Sequence, residues 1–238
     1  IGTRYMGELI ADNAKAHAMQ VPFLRNLLLT DSIYIGSNIT FNNLAPVSTY
    51  LGKPGAPDKG GLPIAEFRRR QEQFRQAEIS ALMDTAHFIE RADQLYRYPN
   101  FVCDTGGCIC EWVDGDDRDD QVLPELTRHC LLVRILGNEE HTQELIRRFD
   151  RAPKPMCYQP EFLDAAWQDY LSESGCAECE VDPDAFIRWT YARALAHRKP
   201  RYDAMSKWGV VVPAEQIAAI RTADDFSNLI ANALEARP

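Results

Sequence analysis

No stretch of the sequence approaches the ~18–20 consecutive apolar residues that a membrane-spanning helix needs, and no charged leader with an apolar core marks a secretion signal. These absences predict a soluble, cytoplasmic protein. An excess of positive charge is missing too. With 35 acidic against 26 basic residues the formal net charge is -9, which argues against a general role on nucleic acid or an anionic membrane and leaves small molecules or protein partners. Repeats and low-complexity tracts are absent, as is any G-x-x-x-x-G-K-[ST] loop, whose backbone would cradle phosphates. The 7 cysteines are odd in number and irregularly spaced, so a disulfide framework is not expected and reduced thiols are.

What remains is a chain able to bury a core: 238 residues, 45% of them hydrophobic, read as a single domain over 1–238 with helical additions. Met6, Leu9, Ile10 and Ala14 predict a helix over about 4–19, followed by a short apolar helix over 21–29 and a brief strand at 32–35. Residues 36–63 turn to Gly, Pro, Asn, Ser and Thr. A loop of that length is expected to serve as a lid or substrate loop. Its Gly52-Lys53-Pro54 is not a phosphate cradle, because Pro54 supplies neither a hydroxyl nor a backbone N–H. Lys53 and Lys59 are expected in solvated turns, with reach toward an anionic ligand as the alternative.

Residues 64–98 read as a helical insertion of two helices broken near Asp84-Thr85, with Asp84 as N-cap and Arg68-Arg69-Arg70 on the wet face. The run Phe101-Val102-Cys103 then ends in Asp104, followed by Thr105 and the turn Gly106-Gly107. A buried parallel strand delivers an acid to a ligand in this way, and Asp104 there would hold Mg²⁺ beside phosphates. Asp114–Asp120 is a surface loop, with Asp120 capping the next helix. Residues 130–136 read as a strand buried on both faces, leading through Gly137-Asn138 into a helix over 139–151. Helices follow over 160–173, 183–196 and 201–207, then a last strand over 208–212 and closing helices over 213–220 and 223–236 that pack on the sheet. Strands alternating with helices predict an α/β fold: a mostly parallel sheet with helices on both faces.

Asp104-Thr105-Gly106-Gly107 after a strand, the strand-turn-helix reaching Arg147-Arg148 and Pro153-Lys154-Pro155, and the terminal strand with its helix pair resemble a family of bacterial proteins described only as ATPases. Ile1–Gly7 and Ser48–Gly55 extend the likeness. That family is similar to the three-layer P-loop NTPases of small-kinase type. The resemblance implies ATP and Mg as cofactors, with hydrolysis or phosphoryl transfer to a small-molecule acceptor. Asp104 matches the acid that holds Mg²⁺ or acts on the acceptor hydroxyl. Thr105, Gly106 and Gly107 match the stretch near the γ-phosphate, Arg147, Arg148 and Lys154 the basic residues that neutralise transferring charge, and Arg4 the acceptor region. The phosphate loop itself is expected upstream of Ile1, to be disordered, or not to exist; a leading segment of about fifty residues, the length of a strand, loop and helix, would carry it.

Other readings stay open. Arg147, Arg148 and Arg151 suit a helix C-terminus through its dipole. Cys103, Cys108, Cys110, Cys176 and Cys179 contain enough thiolates for a structural zinc, although Cys103 falls in the expected strand; free thiols are the plainer reading. His17, His87, His129, His141 and His197 show no metal spacing. Without its phosphate loop, the chain would be a non-catalytic α/β module binding a protein partner through the Gly/Pro loop and helical tail. The stripes over 64–98 and 183–196 face either the core or a second subunit in a homodimer.

Overall fold

The computed structural model describes residues 51–97, 100–103, 105 and 108–237. The helices expected over 4–19 and 21–29, the strand at 32–35 and residues 36–50 lie outside them. In chain order the elements are α1 (Ile64–Met83), α2 (Thr85–Tyr96), α3 (Val122–His129), β1 (Leu132–Leu136), α4 (Glu139–Arg151), α5 (Pro160–Ser174), α6 (Pro183–Met205), β2 (Gly209–Pro213), α7 (Ala214–Ala219) and α8 (Ala223–Glu235).

This is not the expected three-layer α/β fold. The described residues are mostly helical, and their one sheet is the parallel pair β1–β2, in register from Leu132 opposite Gly209 to Leu136 opposite Pro213. Phe101-Val102-Cys103 forms no strand, and Val102 is 85% exposed. Three apolar residues make too short a run to specify a strand without a neighbouring one to bond to. β1 is not covered on both faces either: Ile135 is 56% exposed. Large aromatic side chains pack on one another between helices and loops, so no broad sheet is needed to bury them.

The described residues divide into two compact units. The first takes them up to Trp112, together with Lys154–Ile187; the second is Val113–Pro153 with Arg188 onward.

In the first unit, α1 begins after Pro63 and is stabilised in its first turn by Glu66, whose carboxylate accepts from Arg69 and Arg70. Arg68 instead reaches Asp164 on α5 at 2.6 Å. The break between α1 and α2 falls at Asp84, but the Asp84 side chain caps nothing. The buried Thr85 hydroxyl donates to the Leu82 carbonyl at 2.6 Å and closes the turn in its place. Trp167 on α5 meets Phe186 on α6 edge-on at 5.0 Å, and Tyr170 meets the same ring at 5.3 Å. Phe67 and Tyr158 pack 6.4 Å apart, while the Tyr158 N–H donates to the buried Gln71 side chain at 2.8 Å. Buried Glu111 accepts the N–H of Gln159, the residue that opens α5, so its charge lies at the positive end of that helix.

Residues 51–63 close on themselves and on the start of α6. Gly55 N–H donates to Leu62 O and Leu62 N–H to Lys53 O, while Ala56, wholly buried, donates to Val181 O at 2.8 Å. Lys53 pairs with Asp184 at 2.6 Å, and Lys59 donates to Glu180 O at 2.6 Å. Lys53 is thus not the free cation of a solvated turn, while Lys59 sits exposed in its turn, as expected. Gly55 has φ 155°, and a Cβ there would meet Pro183 N and Val181 O at 2.9 Å.

In the second unit, the loop after Val113 is held by pairs rather than left loose. Lys207 binds Asp116, Arg201 lies 3.8 Å from Asp114, and the Trp208 indole N–H donates to Gly115 O at 3.0 Å. Asp120 accepts from the N–H groups of Val122 and Leu123 and so starts α3. The helix expected to stop near 196 runs on through Pro200 to Met205. The exposed Pro200 leaves its ring outside, while Ala194, Arg198, Ala204 and Met205 are buried on either side and hold the helix together. Phe149 on α4 stacks on Tyr191 at 3.9 Å, and burial pushes the Tyr191 hydroxyl up. The closing helices are lightly covered: Phe226 and Leu234, expected against a sheet, are exposed.

Gly55→Ala is expected to destabilise the protein by about 1–3 kcal/mol, the usual cost of a forced backbone conformation, with a lower midpoint in denaturant titration. An acid titration tests the Glu66 cluster. Arg69, then Arg70, hold the Glu66 carboxyl down to about 2 against an ordinary 4.5. Its stabilisation is therefore complete above the unfolded value and lost as pH falls from about 4.5 through about 2. Glu66→Gln should lower thermal stability at pH 7, and the gap to wild type should close across that window.

Candidate functional site

Of the residues singled out by sequence, Arg4, Asp104, Gly106 and Gly107 lie outside the described residues. Thr105 is half-buried in irregular chain. Arg147 and Arg148 are brought together, but by a shared carboxylate: Glu144 accepts from Arg147 at 2.7 Å and from Arg148 at 2.9 Å. These three residues sit one turn apart on α4, and Arg147, then Arg148, hold the Glu144 carboxyl below its ordinary range. Lys154 belongs to the first unit, where it is exposed. The cations expected to neutralise a transferring phosphoryl group therefore include two that already serve as partners of an acid on their own helix.

In open α/β sheets, ligands bind beyond the carboxyl ends of the parallel strands. Here those ends are Leu136 and Pro213, and the residues just beyond them are bonded to each other. Asn138 follows β1 through Gly137 and caps α4: its side-chain oxygen accepts the His141 N–H at 3.0 Å, and its own N–H donates to His141 Nδ1 at 3.1 Å. The same Asn138 side chain donates through Nδ2 to Glu215 Oε1 on α7, at 3.0 Å. One amide thus joins the exits of both strands.

Because His141 Nδ1 accepts a backbone N–H, the proton of its neutral ring is on Nε2. The ledge therefore offers an imidazole donor and a carboxylate. Glu139 and Glu140 in the first turn of α4 add negative charge, which opposes a bare phosphate and suits a ligand arriving with its own cation. Among the described residues, no group of three or more His, Cys, Asp or Glu side chains is arranged to hold a metal ion.

Sequence reasoning missed three things. Glu111 is an acid buried in the first unit, with no local signal because its acceptor role is toward a residue distant in sequence. The Asn138–Glu215 bond joins residues far apart in the chain, although Asn138 followed three residues later by His141 was a visible capping pattern. The partners of Arg147 and Arg148 were legible from Glu144 alone, at three and four residues' spacing. Among the described residues, no helix is long and apolar enough to cross a membrane. No family model, curated protein or solved structure matches the chain.

Proposed function

We propose that the chain binds a nucleotide with Mg²⁺ and cleaves or transfers its terminal phosphoryl group. The observation behind this reading is the parallel pair β1–β2, whose carboxyl ends meet in one polar ledge of Asn138, His141 and Glu215. Parallel strands joined through helices receive ligands at that end, and the resemblance in Asp104-Thr105-Gly106-Gly107 names a nucleotide as the class. The acidic ledge favours a metal-bound nucleotide over a free one. Arg147 and Arg148 would have to exchange Glu144 for phosphate. Exposed pairs of this kind add little stability, so the exchange is cheap.

A second reading has its own support. Among the described residues, the large apolar side chains left exposed are concentrated in the second unit: Leu131, Ile135, Leu136, Leu145, Val211, Phe226 and Leu234, against Met83 and Val102 elsewhere. Such concentration suits a non-catalytic module that docks a protein partner, a second copy included.

Thermal unfolding separates the two. On the product of the whole reading frame, millimolar Mg-ATP should raise the midpoint, since binding to the native state adds RT ln(1 + [L]/Kd). No shift in wild type ends the nucleotide reading. For the second, sedimentation should show association that weakens in Ile135→Ser/Leu136→Ser; a wild type that remains monomeric at every concentration removes self-docking.

A further inference from the structure

Cys176-Ala177-Glu178-Cys179 leaves α5 through Gly175, in the left-handed conformation at φ 67°, and enters a 3-10 turn over Glu178–Glu180. The turn is held from several sides. Ala177 N–H donates to Glu180 Oε2 and Glu180 N–H to Ala177 O, both at 2.9 Å. Lys59 reaches Glu180 O, and the Trp167 indole N–H donates to Glu178 Oε1 at 3.2 Å. Cys179 thus stands on a held turn, with Cys176 just before it.

They are unequal. None of the seven cysteines is in a disulfide, and Cys179 alone is exposed; Cys176, Cys103, Cys108 and Cys130 are half-buried, and Cys110 and Cys157 are buried. The Ser174 hydroxyl spends its one hydrogen on Tyr170 O at 2.7 Å. In its 3.0 Å contact with Cys176 Sγ, that oxygen has no hydrogen left to give, so the sulfur is the donor. Cys179 is the sulfur that a solute can reach first.

We propose that Cys176 and Cys179 form a reversible dithiol–disulfide site for small-molecule disulfides, with Cys179 as the attacking and Cys176 as the resolving sulfur. The Cys179 thiolate attacks one sulfur of the small disulfide; a bond forms between them, the S–S bond breaks and one small thiolate leaves. The Cys176 thiolate then attacks Cys179 Sγ, closing the Cys176–Cys179 bond and expelling the second small thiolate. The two protons lost by the cysteines end on the two small thiols released. The protein loses two electrons and the small disulfide gains them. A C-x-x-C pair with one accessible thiol is suited to this exchange.

Glutathione disulfide added to the full-length folded protein tests the assignment by intact mass and peptide mapping. Wild type should lose two hydrogens, with the link mapped to Cys176–Cys179, and recover its mass in dithiothreitol. Cys176→Ser should stop at a glutathione adduct on Cys179, and Cys179→Ser should give neither adduct nor bond in this turn. An unchanged folded wild type, under conditions that oxidise the denatured chain, would overturn the proposal. A link mapped to any other pair of cysteines would do the same. Both of those readings come from wild type, so they hold even if a variant folds poorly.

Discussion

A single buried backbone bond, from Ala56 N–H to Val181 O, ties the stretch 51–63 into the first unit. It closes the stretch 51–63 against the residues that lead into α6, and the chain passes so tightly there that Gly55 has no room for a Cβ. Ala56 and Val181 are both wholly buried, so neither partner of that bond could turn to water instead. The Lys53–Asp184 and Lys59–Glu180 contacts lie around it. Partly exposed ion pairs contribute little individually. They fix the position of the turn on which Cys179 stands, more than they add stability.

Much of the local structure was legible in the sequence, because helix signals are local. Apolar spacing gave α1, α2, α4, α5 and α8 close to their observed limits, and Asp120 announced the start of α3. β1 and β2 were found from their apolar runs. What could not be read was their surroundings. A run such as Leu132–Leu136 looks doubly buried whether or not a second layer exists, and here Ile135 faces solvent. Phe101-Val102-Cys103 was read as a strand because of the acid and glycines after it, a ligand-site pattern rather than a folding one. Pro200 misled for the opposite reason: its local rule was sound, but burial of Ala194, Arg198, Ala204 and Met205 outweighed it.

The candidate site divides the same way. Arg147 and Arg148 were chosen by analogy with mobile cations, while Glu144 one turn earlier already accounted for them. Arg69 and Arg70 stand in the same relation to Glu66. Clusters of arginine on a helix are best interpreted after counting the acids three and four residues before them. The Asn138–Glu215 bond could not be counted at all, because it exists only once β1 and β2 lie side by side. A polar group that bridges two strand exits is a product of the tertiary pairing.

The parallel pairing of β1 with β2 also sets an order of events during synthesis. Three helices are made between the two strands, so the ribosome releases β1 well before its hydrogen-bonding neighbour exists. Throughout that interval Leu132, Val133 and Ile135 have no strand beside them, and the nascent chain is at its most adhesive there. The unpaired strand would make this segment a natural place for a chaperone to hold the chain until Val210 and Val212 arrive.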